Sequence, residues 1–450
     1  MRKRTAKILK IVAVAIIVLG LIYAIAVGVS AAKLHRAYAA LEKDGRPMKA
    51  QTVIPPKVPD AENAALLYES AGLLLKAQPA PNGNLLDYAG GLSKTFMKES
   101  LSQEKLAELQ QLIEQDVVTK ALWVIEQGAR RRSCRFDRDY NAGVNILIPD
   151  LSILRGLSCI LGAKACLEAQ AGRLDEAWNM ARTQLRLADA TLNEPILIGQ
   201  VVRIALIRFS LRTMREICEI APPNEQQYRS LREDLAGLDD VGPLVRSIDG
   251  ERLLFGEWAF NLPKDELHKI NAVNERPDHM PGLIRWFVTF RLRFKPWFLA
   301  DHAAYMRFMQ KSMEFIERPY SEDRANNMEE DLNETHHLMT RMFIPAIPRV
   351  KVIYCEMAAE LRITRAGLAL LQYKQAHSDP SQCPDTLEGL QLGDINDPFS
   401  QEPLSYKPQG GGFILYSVGP DQKDNGGSPK QEKQEEDWDI VWQFPKEGHG

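Results

Sequence analysis

The chain has 450 residues, 45% of them hydrophobic, 26% charged and 8% aromatic, and a formal net charge of −3. These proportions exclude a fully disordered chain, a collagen-like repeat and a small disulfide-stapled scaffold, and the length leaves room for more than one core. The charge is unevenly spread: Arg2, Lys3, Arg4, Lys7 and Lys10 crowd the first ten residues, which contain no acid, so the remainder is distinctly acidic. An acidic body argues against nucleic acid as a partner.

From Ile11 to Val29 run 19 residues without a charge. As a helix they extend about 28 Å, close to the thickness of a bilayer's hydrocarbon core. The basic residues before them predict an N-terminus held in the cytoplasm and a remainder sent outward. The run exceeds the about 7–15 residues of a cleavable signal's apolar region, which favours an uncleaved anchor over cleavage near Val29-Ser30-Ala31. The lipid bilayer is therefore an expected partner, through residues 11–29. Cys134, Cys159, Cys166, Cys218, Cys355 and Cys383 show neither a CxxC pair nor zinc spacing and read as small buried hydrophobes.

Beyond the span, Lys33 to Lys43 continues as a polar, Ala-rich helix expected to lift the rest off the membrane. Gly45, Pro47, Pro55, Pro56 and Pro59 mark a linker. Asp60 is a candidate N-cap for a helix with Ala64, Leu67 and Ala71 on one stripe, which a loop at Pro79 to Asn84 ends. Ser102 to Ala129 is helical by composition. Leu154, Leu157, Leu161 and Ala165, then Ala177, Ala181, Leu185, Ala188 and Leu192, form two single-face helical stripes. Gly172 and the acids after it suit a tight turn between them. The segment Ala165 to Leu187 resembles one tetratricopeptide-type unit, without the repeats that would make an array. Pro195 starts a third helix, with Ile198, Val202, Ala205 and Phe209 on one face.

Two clusters of charge stand out. Arg130, Arg131, Arg132, Arg135 and Arg138, tempered by Asp137 and Asp139, read as a solvated salt-bridged face. From Arg285 to Phe308, aromatic and basic residues interleave, among them Trp286, Phe287, Phe290, Arg291, Arg293, Phe294, Lys295 and Trp297. Buried rings with snorkelling cationic stems are the favoured reading, and an interfacial lipid surface is the alternative.

Composition changes after Pro345 and Pro348. Ile353, Met357, Leu361, Thr364, Leu368 and Leu371 recur at helical spacing up to His377. A strand at Leu404 to Lys407, a Gly410-Gly411-Gly412 turn and a strand from Phe413 to Val418 read as a hairpin, and Ile440 to Phe444 as a last strand. The order "AGLALLQYKQAHSDPSQCPDTLEGL", "DPFSQEPLSYKPQGGGFILYSVGPDQKDNGG" and "DWDIVW" resembles the globular domain of the major pseudopilin of type II secretion systems, over residues 362–442. The resemblance implies a calcium ion in the loop between the last two strands. Asp421 and Asp439 match the family's motif, with Asp424, Asn425 and Asp437 close enough to contribute hard oxygen ligands. The wider layout, with "VPDAENAALLYESA", "GRLDEAW" and "EPILIGQVVRIAL", also resembles large membrane-anchored bacterial envelope proteins of uncharacterised activity. That likeness implies the bacterial inner membrane as the location.

No GxSxG elbow, HExxH pair, Walker loop or GxGxxG fingerprint occurs, and the SxxK matches at Ser30 and Ser102 lack companion motifs. The adjacent His336 and His337 point to different faces of a helix. No catalytic residue is assigned. The expected architecture is mainly α. Residues 1–31 form a basic tail and transmembrane anchor, 32–59 a juxtamembrane helix and linker, and 60–344 a body of helical hairpins, tetratricopeptide-like or bundled. Residues 345–450 form a pseudopilin-like α+β module with a small antiparallel sheet. The favoured function is a non-enzymatic, membrane-tethered scaffold with a protein partner in the envelope. An extracytoplasmic hydrolase with a site in a helical cleft, or a lipid or cell-wall binding module, stand as alternatives.

Overall fold

The computed structural model describes residues 2–81, 83–97, 101–263, 266, 294–334, 336–344, 347–377, 383–390, 392–430 and 437–446. It is mainly helical, with a long apolar helix at the N-terminus and a three-stranded antiparallel sheet near the C-terminus. Trp286, Phe287, Phe290, Arg291 and Arg293 of the aromatic-basic segment lie outside the described residues.

Helix α1 (Arg2–Lys43) is unbroken. Among the described residues its Lys7–Lys43 portion is the one helix long and apolar enough to cross a membrane, and its most apolar window is unburied. Beyond that window its character changes. Ser30, Ala37 and Leu41 are buried, at steps that place them on one helical face. This segment is part of the body's packing.

The next helices are α2 (Ala65–Lys76), α3 (Leu85–Phe96), α4 (Gln103–Ile113), α5 (Asp116–Ala129), α6 (Asp150–Gln170), α7 (Leu174–Leu187) and α8 (Leu197–Ile220). A two-residue hairpin, β1 (Pro79–Ala80) with β2 (Gly83–Asn84), fills what the sequence suggests is a loop. Asp60 caps nothing here; Asn63 accepts from the Ala65 N–H instead, at 3.2 Å. Helices α6 and α7 pair tightly about Gly172, whose φ of +77° is a left-handed conformation that suits glycine. Both predicted stripes on this hairpin are buried, apart from the half-buried Leu192 at its end. In α8 the helix occurs as predicted but its face is turned. Of the predicted face Ile198 is exposed, Ala205 and Phe209 are half-buried and Val202 is buried, whereas Ile204, Ile207, Leu211, Met214 and Cys218 are all buried.

After α9 (Glu225–Asp234) comes α10 (Gly242–Gly250), which widens into a seven-residue π segment, Glu251–Glu257, before the short α11 (Trp258–Asn261). A π-helix this long is rare and such widenings tend to mark functional junctions. Here it meets α12 (Lys295–Glu317), which runs beside α1 in an extensive helix pairing. Gly256 makes the approach possible, since a Cβ there would stand 2.1 Å from the Tyr305 ring. The charged residues of the π segment tie separate parts of the chain together. Glu257 accepts from the Tyr38 hydroxyl of α1 at 2.6 Å and from Asn261 at 3.0 Å, with His302 of α12 at 3.5 Å. Burial works to raise the Glu257 pKa, but hydrogen bonds from His302, Tyr38 and Asn261 hold it below the ordinary carboxylate value. Arg252, fully buried, donates to Asp249 at 2.9 Å and to the Pro47 carbonyl of the linker. Glu251 accepts from the Leu197 N–H at 2.9 Å, at the first turn of α8.

Helices α13 (Glu322–Glu334) and α14 (Leu338–Phe343) lead to α15 (Ile347–Ala376), the predicted C-terminal helix. Met357, Leu361, Thr364, Leu368 and Leu371 are buried as their spacing requires. One side of α15 meets α8, where Arg208 reaches Glu356 at 2.8 Å and Glu360 at 2.7 Å. Its other side carries the sheet of β3 (Ser405–Gln409), β4 (Gly412–Ser417) and β5 (Ile440–Phe444), in the order β3-β4-β5. Ser405 pairs with Tyr416, and Phe413 with Phe444. Gly367 lets Trp442 seat on the helix, where a Cβ would lie 2.0 Å from the indole. One apolar cluster joins the helices from Ala64 to Leu238 to α15 and the sheet as far as Trp442, and a second gathers Ala37 and Leu41 of α1 with α10, α12 and the first turn of α15.

Burial pushes the Glu251 carboxyl up to about 7, against the pull of the Leu197 N–H. The folded state then binds a proton that the unfolded state releases near pH 4.5. Its stabilising effect is complete below that pH and is lost as pH rises through about 7, a swing on the order of 3 kcal/mol. Glu251→Gln keeps an acceptor for Leu197. Its melting midpoint should fall less than the parent's between pH 5 and 8 and lie above the parent's at pH 8, measured on the full chain in detergent. Parallel pH profiles would disprove the assignment.

Candidate functional site

Two places concentrate polar chemistry, the loop after β4 and a cleft beside the 47–58 strap. The loop contains every residue the pseudopilin resemblance implicates, though residues 431–436 lie outside the described set. Asp439 accepts from the Asn425 N–H at 3.3 Å and the Gly427 N–H at 2.7 Å. Burial raises its pKa, and these backbone donors oppose the rise. Asp421 accepts from the Lys423 N–H at 3.2 Å, the Asp437 N–H at 3.1 Å and the Asn425 amide at 3.5 Å. Asp424 accepts from the Tyr416 hydroxyl at 3.0 Å and the Gly426 N–H at 2.8 Å, and Asp437 faces the Lys423 ammonium at 3.4 Å. The loop thus binds its own carboxylates, and among the described residues no three His, Cys, Asp or Glu side chains converge as a metal group.

Asp397 organises this loop and was not singled out by the sequence reading. It is 2% exposed and accepts from the Phe399 N–H at 2.9 Å, the Ser417 hydroxyl at 2.8 Å and the Val418 N–H at 2.8 Å. Its signal was the Asn-Asp-Pro-Phe sequence, since Asp before Pro favours a side-chain-to-backbone turn.

The cleft, of about 460 Å³, lies between the strap (Pro47, Ile54, Pro55), the Ser133 to Arg135 turn and the Leu192 to Pro195 segment, with Arg246 and Asp249 at one side. The arginines around residue 135 hold this region together from within. Arg131 donates to the Asn63 carbonyl at 2.6 Å and Arg135 to the Pro55 carbonyl at 3.0 Å. Arg138 is buried, bidentate to Asp150 at 2.9 and 2.7 Å and bonded to Glu194 at 2.8 Å. The expected solvated face is therefore incorrect for Arg138. Its partners are acids from α6 and from the turn before α8, neither of them Asp137 nor Asp139.

One guanidinium facing two carboxylates leaves an excess negative charge in the interior. Burial opposes the charge on Arg138, but Glu194 and Asp150 outweigh it and raise its pKa. Glu194 bears the cost: burial raises its pKa, Arg138 opposes that, and its Oε1 has no hydrogen-bond partner in the structure. Cys134 also lines the cleft, yet burial and the nearby Asp150, Glu69 and Glu194 push its thiol far above the ordinary range, so it stays protonated and a poor nucleophile.

Comparison with family models, with curated proteins and with solved structures returns no match for this chain.

Removing Arg138 leaves two buried carboxylates without their cation. Arg138→Met should cost about 3–5 kcal/mol in chemical unfolding of the detergent-solubilised chain. Adding Glu194→Gln should recover part of the loss. A cost below about 1 kcal/mol, the range of an exposed pair, would show that the cluster is not a buried clamp.

Proposed function

We propose that this protein is a non-enzymatic scaffold, anchored in the bacterial inner membrane by residues 11–29, that presents its helical body and C-terminal module to a protein partner in the envelope. The carrying observation is that, among the described residues, both seams are packed. The anchor helix packs on the body through α12 and the π segment, and the module shares its core through α15. Such a molecule holds its outer surfaces at a set height above the bilayer, which suits a platform for assembly or secretion machinery. The partner docks over the cleft, where the Arg246 side chain lies at the exposed rim.

Calcium belongs to this reading as a stabiliser of the module. Asp421, Asp424, Asn425, Asp437 and Asp439 supply hard oxygens of the kind calcium takes. A carboxylate oxygen that accepts one N–H keeps a second lone pair for a cation.

Each part has its own test. A photo-crosslinker at Arg246 in intact membranes should join the chain to one discrete protein, and the same group at Arg229 on α9 should not. Adducts to lipid alone, or equal labelling from both positions, would refute the docking surface. For calcium, the full chain in detergent should melt higher with calcium than with chelator, and Asp439→Ala should abolish the difference. Identical midpoints in the parent would remove calcium from the account.

A further inference from the structure

Because α1 is one unbroken helix, the depth of each of its residues follows from its number at 1.5 Å per residue. The side chains of Ile8 through Ile25 are exposed along it, and the next charge after the apolar run is Lys33. If the hydrocarbon slab begins beside Lys10, its roughly 20-residue requirement is met near Ser30. The body nevertheless reaches below that level. Phe294, just before α12, meets Tyr23 edge-on with ring centroids 5.5 Å apart, and Trp297 meets Phe294 at 5.0 Å. Further along the pair, Asp44 accepts from Gln310 at 2.6 Å, so α12 runs parallel to α1 with its N-terminal end toward the membrane. Tyr23 precedes Val29 by six residues, about 9 Å along the axis.

We infer that the N-terminal end of α12 is a second membrane contact, which seats the body directly on the phospholipid surface. Phe294 and Trp297 enter the outer part of the slab beside Tyr23, Lys295 snorkels from there toward the headgroups, and Lys33 and Arg36 lie among them. Several observations point to lipid as the occupant. The surface is continuous with the span, Tyr23 and Trp297 are each 43% exposed, and Lys295, Lys33 and Arg36 are exposed cations. Aromatic rings with a polar tip favour the depth where hydrocarbon gives way to headgroups, and lysine and arginine favour the phosphates just above. The inference rests on reading α1 as a span and deepens it: the protein would be bound by an anchor and by a footprint.

The test uses the full chain in phosphatidylcholine vesicles brominated at shallow acyl positions. Emission from Trp297 is taken as the difference between the parent and Trp297→Phe, with Trp297→Tyr as a second subtraction. Trp123, 61% exposed on α5, serves as the reference through Trp123→Phe. The Trp297 component should lose most of its intensity to the brominated lipid and little to aqueous iodide, and the Trp123 component should behave in the opposite way. A chain that floats with the vesicles while Trp297 responds to iodide as Trp123 does would overturn the seating and leave the anchor standing. A chain that fails to float would overturn both.

Discussion

The structure depends on one half-buried carboxylate at a seam. Glu257 lies where the long N-terminal helix α1, the π segment and α12 meet, and it binds Tyr38 of the first and faces His302 of the last. A carboxylate taken out of water is costly unless its partners satisfy it. Here the partners come from elements far apart in sequence, so satisfying the charge also fixes how those elements meet. His302 is in turn held by stacking on Phe260 at 4.2 Å. The π widening supports this arrangement, because Glu251, Arg252 and Glu257 leave one short stretch toward the first turn of α8, the linker and the anchor.

The same logic recurs around the cleft and at the C-terminus. Arg138 clamps the start of α6 to the turn before α8, and Arg208 clamps α8 to α15. Asp397 closes the sheet's loop on backbone donors. In each case a charged group joins segments that the apolar core alone would leave free to slide. Hydrophobic burial is non-directional, whereas a bidentate guanidinium or a buried carboxylate sets register.

Most of what rests on local periodicity was legible in the sequence. The apolar span, the α6–α7 hairpin with its Gly172 turn, the long α15 and the strands ending at Phe444 all lie where residue spacing and turn chemistry place them. Interactions between distant residues were not legible. Nothing local distinguishes Arg138, whose partners are 12 and 56 residues away, from the exposed Arg132 nearby. The buried face of α8 follows from what packs on it, since apolar residues lie on several sides of that helix. A polar, Ala-rich extension of a membrane helix reads as a stalk until α12 is placed against it. For the loop after β4, sequence brought the five residues to one place, and the hydrogen bonds made by their side chains emerged only with the backbone.

The central claim is that anchor and body form one rigid unit. Spin labels at Lys33 on α1 and Arg229 on α9, both exposed, measure it directly by pulsed electron-spin distance spectroscopy in lipid bilayers. A single narrow distance distribution, broadened when Glu257 is replaced by alanine, is the predicted result. A broad distribution in the unaltered chain would mean that the body swings on a flexible tether, and would contradict the account.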